Sequence, residues 1–171
     1  FCALVHKKLK KKFKNLLTII IPRHIDRVEI IKKELIRYNL KISTFSSNKE
    51  INKYTDILIV DEYGKTKSFY NICKNVFLGG SIINHGGQNP LEATRYGCNI
   101  LHGPNVSNFE EIYNFLNSQK ISFKVKKQVG MLKILKKLFV SKNNKINIRN
   151  KINLRGKKIL SQSLKEINKY I

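Results

Sequence analysis

Gly86-Gly87-Gln88-Asn89-Pro90-Leu91-Glu92 decides the reading of this chain, because glycines run straight into a helix start that carries a carboxylate in its first turn. Gly79-Gly80-Ser81 stands seven residues earlier. Glycine has no Cβ, so a backbone rich in it approaches a ligand closely, and the unpaired N–H groups of a new helix favour phosphate through hydrogen bonding and the helix dipole. Pro90 suits a first turn that needs no N–H, and Asn89 is a capping residue. Glu92 repels phosphate but accepts hydrogen bonds from sugar hydroxyls, which makes ribose its natural partner. A well-capped helix without a ligand has the same sequence, so the surroundings must decide.

Working outward, the apolar run Leu16–Ile21 stops at Pro22 and reads as a buried parallel strand. Ile25, Val28, Ile31, Leu35 and Tyr38 fall at helical spacing, and Asn39 ends that helix. Short strands are predicted over 42–45, 56–61, 76–79, 99–101 and 121–125, with helices over 67–75, 90–96 and 109–116 between them. This alternation predicts an α/β fold, a parallel sheet with helices on both faces, whose ligands bind at the carboxyl ends of strands. Pro22-Arg23-His24, Asp61 to Lys65, Gly79 to Ser81 and His102-Gly103-Pro104 each follow a predicted strand. From about Gly130 the character changes. Leu132, Leu135, Leu138 and Phe139 form an apolar stripe, Ser141–Asn153 is a Lys/Asn tract that reads as a solvated linker, and Leu160, Leu164, Ile167 and Ile171 recur at helical spacing. The expected organisation is therefore 1–127 as the ligand-binding domain and 128–171 as a basic helical segment.

The chain has 171 residues, enough for one domain with an appendage, and 42% hydrophobic content fills a core. Thirty-four Lys and Arg against eleven Asp and Glu leave a net charge of +23. Lys, Asn and Ile crowd almost every segment, which points to compositional bias first and to an anionic membrane surface second. No nucleic-acid role is expected, since neither a known module nor aromatics interleaved with the basic residues are present. Cys2, Cys73 and Cys98 are odd in number and free of C-x-x-C spacing, so reduced thiols are expected, and no metal site follows from the four histidines. The longest apolar run is far below the ~20 residues that span a bilayer, and no signal peptide is recognisable. Phe1 opens the chain inside what reads as a running helix, which suggests a longer parent.

Among single signals, Gly64-Lys65-Thr66 imitates the end of a P-loop, but Ile59 stands where the required earlier glycine would be. Asn105-Val106-Ser107 fits a glycosylation acceptor without any secretory context. Arg23 follows a strand at the expected phosphate mouth, where a guanidinium fork holds phosphate and offsets charge on a departing nucleotide.

Together these residues resemble the Kdo transferases of lipopolysaccharide synthesis. The resemblance runs from about Val5 to Phe115 and is carried by Pro22-Arg23-His24, V-F-L-G-G-S at 76–81, G-G-Q-N-P-L-E at 86–92, and Gly103-Pro104 followed by Asn108-Phe109. It implies one Rossmann-like half of a GT-B glycosyltransferase, the carboxyl-terminal half that binds the donor CMP-Kdo, with no cofactor. Pro22 and Arg23 would contact CMP, while Tyr63, Gly64 and Lys65 would form a turn against the nucleotide. Gly80, Ser81 and Gly87 would line the loop, and Asn89, Pro90, Leu91 and Glu92 would hold phosphate and ribose. The implied enzyme is inverting, metal-independent and placed at the cytoplasmic face of the bacterial inner membrane. Its acceptor is a lipid A precursor, and its catalytic base lies in an amino-terminal half outside this chain. Two positions depart from the family pattern, Lys65 for glutamate and Gln88 for histidine. Another GT-B transferase or epimerase, or a non-catalytic remnant that binds acidic lipid or a partner subunit, is the competing expectation.

Overall fold

A computed structural model describes residues 1–47, 51–142 and 144–170. They divide into two compact units, 1–66 with 127–136, and 67–126 with 137–171. All strand pairings are parallel, as the alternation predicts, and they group into two three-stranded sheets.

The first unit contains α1 (Cys2–Lys10), β1 (Thr18–Ile20), α2 (Val28–Ile36), β2 (Ile42–Thr44) and β3 (Ile57–Ile59), with β3 between β1 and β2. Ile57, Leu58, Ile59 and Val60 are buried without a polar interruption, as expected of a central strand covered on both faces. β1 was expected to be buried too, but at the sheet edge it is only half-buried. Ala3, Val28, Leu35, Ile57 and Ile59 form the core. A 3-10 turn over 25–27 leads into α2, and Asn39 follows the helix in a left-handed conformation, φ 50°, which asparagine tolerates.

At the amino ends of β1 and β3 lies a polar knot. His6 is buried on α1, its Nδ1 2.9 Å from the Thr18 hydroxyl and its Nε2 3.4 Å from Asp56 Oδ1. A carboxylate only accepts, so Nε2 carries the proton and Nδ1 accepts from Thr18. Lys10 Nζ reaches the same Asp56 oxygen at 2.8 Å, and the Lys41 backbone N–H donates to Asp56 Oδ2 at 2.9 Å. Burial lowers the His6 pKa against the pull of Asp56. Burial alone would raise the Asp56 carboxyl, but its hydrogen bonds from Lys10, Lys41 and His6 outweigh this and lower it.

The second unit contains α3 (Thr66–Ile72, whose first residue belongs to the first unit), β4 (Asn75–Leu78), α4 (Leu91–Arg95), β5 (Asn99–His102), α5 (Glu110–Ser118), β6 (Ser122–Lys124) and α7 (Lys145–Ile167). α6 (Gln128–Val140) runs across the division. β5 is central, and Leu78, Ala93, Cys98, Ile100 and Tyr113 make a core cluster. All three cysteines are free; Cys98 is buried, which pushes its thiol up to about 11, and it donates to the Tyr70 and Cys73 carbonyls at 3.3 Å.

The Lys/Asn tract is not a solvated linker. From Lys145 it is the start of α7, and Ile148 and Ile152 are buried with Leu116 and Ile121. Asparagine is a poor helix former, but two isoleucines four residues apart share one face, and their burial outweighs the propensity cost. Lys145 Nζ donates to the Tyr70 and Asn71 carbonyls at 3.1 and 2.6 Å, satisfying the carboxyl end of α3. Gly97, at φ +79°, lets the chain before β5 press on Lys145, whose carbonyl oxygen lies 2.5 Å from where a Cβ would sit. Ile171 of the expected apolar stripe lies outside the described residues. No described helix is long and apolar enough to cross a membrane.

Candidate functional site

In the first unit, the carboxyl ends of the neighbouring strands β1 and β3 bring two of the expected segments to one edge of the sheet, Pro22-Arg23 and Asp61 to Lys65. Arg23 is exposed and forms no ion pair among the described residues. Tyr63 is 71% exposed, and Gly64 turns the chain at φ +78° with open space around it. Asp61 anchors the turn by accepting from the Ser46 backbone N–H at 2.9 Å and from the Ser46 hydroxyl. Burial would raise its carboxyl, yet the two bonds from Ser46 lower it. Lys65, one of the two departures, has its ammonium 3.2 Å from Glu62 Oε2 and 5.7 Å from the centre of the Phe45 ring. That charge is shared locally with Glu62, inside the expected Asp61 to Lys65 segment, whereas Phe45, brought to the turn from the end of β2, was not foreseen from the sequence.

In the second unit the glycine loop is stitched to the protein itself. Gly86 and Gly87 have φ +70° and +77°; a Cβ on Gly86 would strike the Asn108 side chain at 2.4 Å, and one on Gly87 would meet the Asn105 carbonyl oxygen at 3.1 Å. The Asn108 N–H donates to the Gly86 carbonyl at 3.2 Å, and Tyr113 donates its hydroxyl to the Gln88 carbonyl at 2.9 Å. Burial pushes the Tyr113 hydroxyl up, so it stays a neutral donor. These glycines serve a close approach, and the partner that the structure shows is the 105–108 segment.

Ser81 requires a correction. Expected among the ligand contacts, it is fully buried, and its hydroxyl donates to the Leu78 carbonyl at 2.7 Å while accepting from the Gly103 N–H at 2.8 Å. Its carbonyl accepts from the Asn105 N–H at 2.9 Å. A small hydroxyl at a strand end has been drawn inward to tie the ends of β4 and β5 together. Gly80, φ +71°, makes the turn that allows this.

Asn89 and Glu92 are exposed, and Pro90 is buried. Asn89 Oδ1 accepts from the Leu91 N–H at 2.9 Å, so it caps the helix from one residue outside the cap position, which Pro90 occupies. α4 is only five residues long, which weakens the dipole argument and leaves the exposed polar groups as the means of holding a ligand. Glu92 forms no ion pair among the described residues, although its charge contributes to raising the half-buried Tyr70 hydroxyl to about 12, chiefly an effect of burial. A separate cleft of about 290 Å³ in this unit is lined by Asn84, His102, Asn105, Glu110, Asn117 and Lys124 and does not include Asn89–Glu92. Among the described residues, no group of three His, Cys, Asp or Glu side chains is placed to hold a metal ion.

No protein-family model matches the chain. It is 31% identical over 141 residues to a 3-deoxy-D-manno-octulosonic acid transferase of Aquifex aeolicus (strain VF5), an alignment covering 82% of this chain and 38% of that protein. A protein of the same name from Rickettsia felis (strain ATCC VR-1525 / URRWXCal2) is 30% identical over 171 residues, 96% of this chain and 36% of its relative. The chain thus spans well under half the length of these curated relatives. Its fold matches the crystal structure of the C-terminal CMP-Kdo binding domain of WaaA from Acinetobacter baumannii with a TM-score of 0.78, at 19% identity, over 87% of this chain and 78% of that one. With the α/β architecture on one side and this similarity along most of its length on the other, the chain belongs to the 3-deoxy-D-manno-octulosonic acid (Kdo) transferases.

Proposed function

We propose that this chain is the donor-binding half of a glycosyltransferase that moves Kdo from CMP-Kdo to a lipid A precursor. The observation that carries the reading is the similarity to proteins named as Kdo transferases over 82% and 96% of the chain. It is supported by the structural likeness to the C-terminal CMP-Kdo binding domain of WaaA. Residues 1–127 bind the donor, and 128–171 form the basic helical segment. In the first unit Pro22, Arg23, Tyr63, Gly64 and Lys65, and in the second Gly80, Gly87, Asn89, Pro90, Leu91 and Glu92, are the proposed contacts; Ser81 is set aside, because its hydroxyl and its carbonyl are engaged inside the fold.

In this reading Glu92 accepts hydrogen bonds from ribose hydroxyls, and Arg23 holds the phosphate and stabilises the charge that builds on departing CMP. The displacement inverts the sugar centre without a metal. Base-assisted attack by the acceptor hydroxyl is supplied from outside these residues, at the cytoplasmic face of the bacterial inner membrane. Titration calorimetry with CMP, UDP and GDP tests the proposal. CMP is expected to bind preferentially, and Arg23→Ala to weaken it about tenfold or more while the thermal midpoint holds, since a charge-assisted bond is lost from an exposed position. Unchanged CMP affinity in both Arg23→Ala and Glu92→Ala would contradict the site.

A further inference from the structure

α7 changes character along its length. Ile148 and Ile152 are buried, whereas every described residue from Gly156 to Tyr170 is exposed. At 3.6 residues per turn, Leu160, Leu164 and Ile167 fall within about 60° of one another and form an apolar stripe of their own, turned roughly 100° round the helix from the buried Ile148 and Ile152, with Ile159 on the buried residues' side; each of the four is between 49% and 60% exposed. Lys158, Lys165 and Lys169 occupy the opposite side, and Lys157 borders the stripe. A helix end with no tertiary cover is marginal in water, because helices in proteins are held mainly by packing of an apolar face.

The charge distribution says what kind of cover fits. Residues 112–171 carry sixteen Lys and Arg but a single acid, Glu166, while residues 1–111 carry eighteen against ten. Uniform compositional bias does not produce that asymmetry. Glu166 is itself paired with Lys169 at 2.7 Å. A polyanion such as nucleic acid would satisfy the lysines and leave the leucines in water. A protein groove would cover the leucines and leave the lysines unmatched. An anionic lipid interface does both, with the apolar stripe at the acyl boundary and the ammonium groups among headgroups.

We infer that the exposed end of α7, residues 156–169, is a docking surface for an anionic bilayer, on which the helix lies in the headgroup plane. The inference gives the proposed membrane location a contact in this chain and is independent of CMP binding.

Co-sedimentation of the chain with phosphatidylcholine vesicles, with and without about 30% phosphatidylglycerol, tests it. Binding is expected to the anionic vesicles alone and to fall with salt. Leu160→Asp with Leu164→Asp, and separately Lys157→Glu with Lys158→Glu, are each expected to cut the bound fraction about tenfold, because one removes the apolar insertion and the other the electrostatic attraction. Both pairs are exposed, so circular dichroism and CMP affinity stay as in the parent chain, which separates this test from that of the donor site. Equal binding to neutral vesicles, absence of vesicle binding, or light scattering that shows a dimer abolished by Leu160→Asp would overturn the inference, the last by assigning the stripe to a second copy.

Discussion

The glycine loop of the second unit and the strand-end turn of the first carry motifs of the same appearance in sequence but differ in what their residues touch. In the loop, Gly86, Gly87, Gln88 and Ser81 are engaged by Asn108, Asn105, Tyr113 and Gly103. In the turn, Arg23, Tyr63 and Gly64 face solvent with little around them. Glycine and serine in a motif therefore do one of two jobs, shaping the loop or meeting the ligand, and burial tells which.

The contrast breaks most readily at Gly103. A Cβ there would lie 2.1 Å from the Ser81 carbonyl oxygen, a backbone atom that cannot step aside. Gly103→Ala is expected to cost about 3 kcal/mol or more in urea unfolding, as overpacking of a rigid site does, and a loss near zero would show that the loop is not tightly built. Ser81→Ala comes next, at about 2 kcal/mol, because it strands a buried N–H and weakens a buried carbonyl, with CMP affinity preserved. Were CMP affinity to fall while stability held, Ser81 would return to the contact set. Gly64→Ala sharpens the other side, since only its positive φ resists the change and about 1 kcal/mol is expected in the same assay.

The smallest effect is a pH dependence that contrasts the two ends of the first sheet. The folded His6 pKa lies below its ordinary 6.5, so the unfolded chain takes up the proton first. The stability that neutral His6 contributes is complete above 6.5 and is lost as pH falls through the lower folded value. Asp56, lowered from 3.8, adds a loss in the same direction at more acid pH. The thermal midpoint is expected to decline from pH 7 to 5, and His6→Asn to flatten that decline; an unchanged slope would mean that the knot does not govern it.

Much of this architecture is legible in the sequence, for reasons that particular residues make clear. Ile57–Val60 reads as a covered strand, because a short run of apolar residues between polar ones leaves no exposed face, and Asn39 marks the end of α2, where the structure finds it left-handed. Gly86-Gly87 before Asn89-Pro90 announces a turn and a helix start. What the glycines press against was not legible, since Asn105 lies 18 residues beyond Gly87 and Asn108 lies 22 beyond Gly86, and only the folded chain brings them near. Ser81 misled for the same reason: beside two glycines it looks like solvent-facing loop, and its burial is a tertiary fact. In the 141–153 tract the asparagines spoke louder than Ile148 and Ile152, whose pairing has value only once Leu116 and Ile121 are in place.

Lys145 has a practical consequence for anyone trimming this polypeptide. Its ammonium closes the end of α3, its backbone seats Gly97, and one and two turns later Ile148 and Ile152 complete a hydrophobic cluster. A recombinant piece ending near position 127 would look tidy on a map yet discard a structural keystone, whereas one ending near Arg155 would keep it and shed only the unsupported overhang.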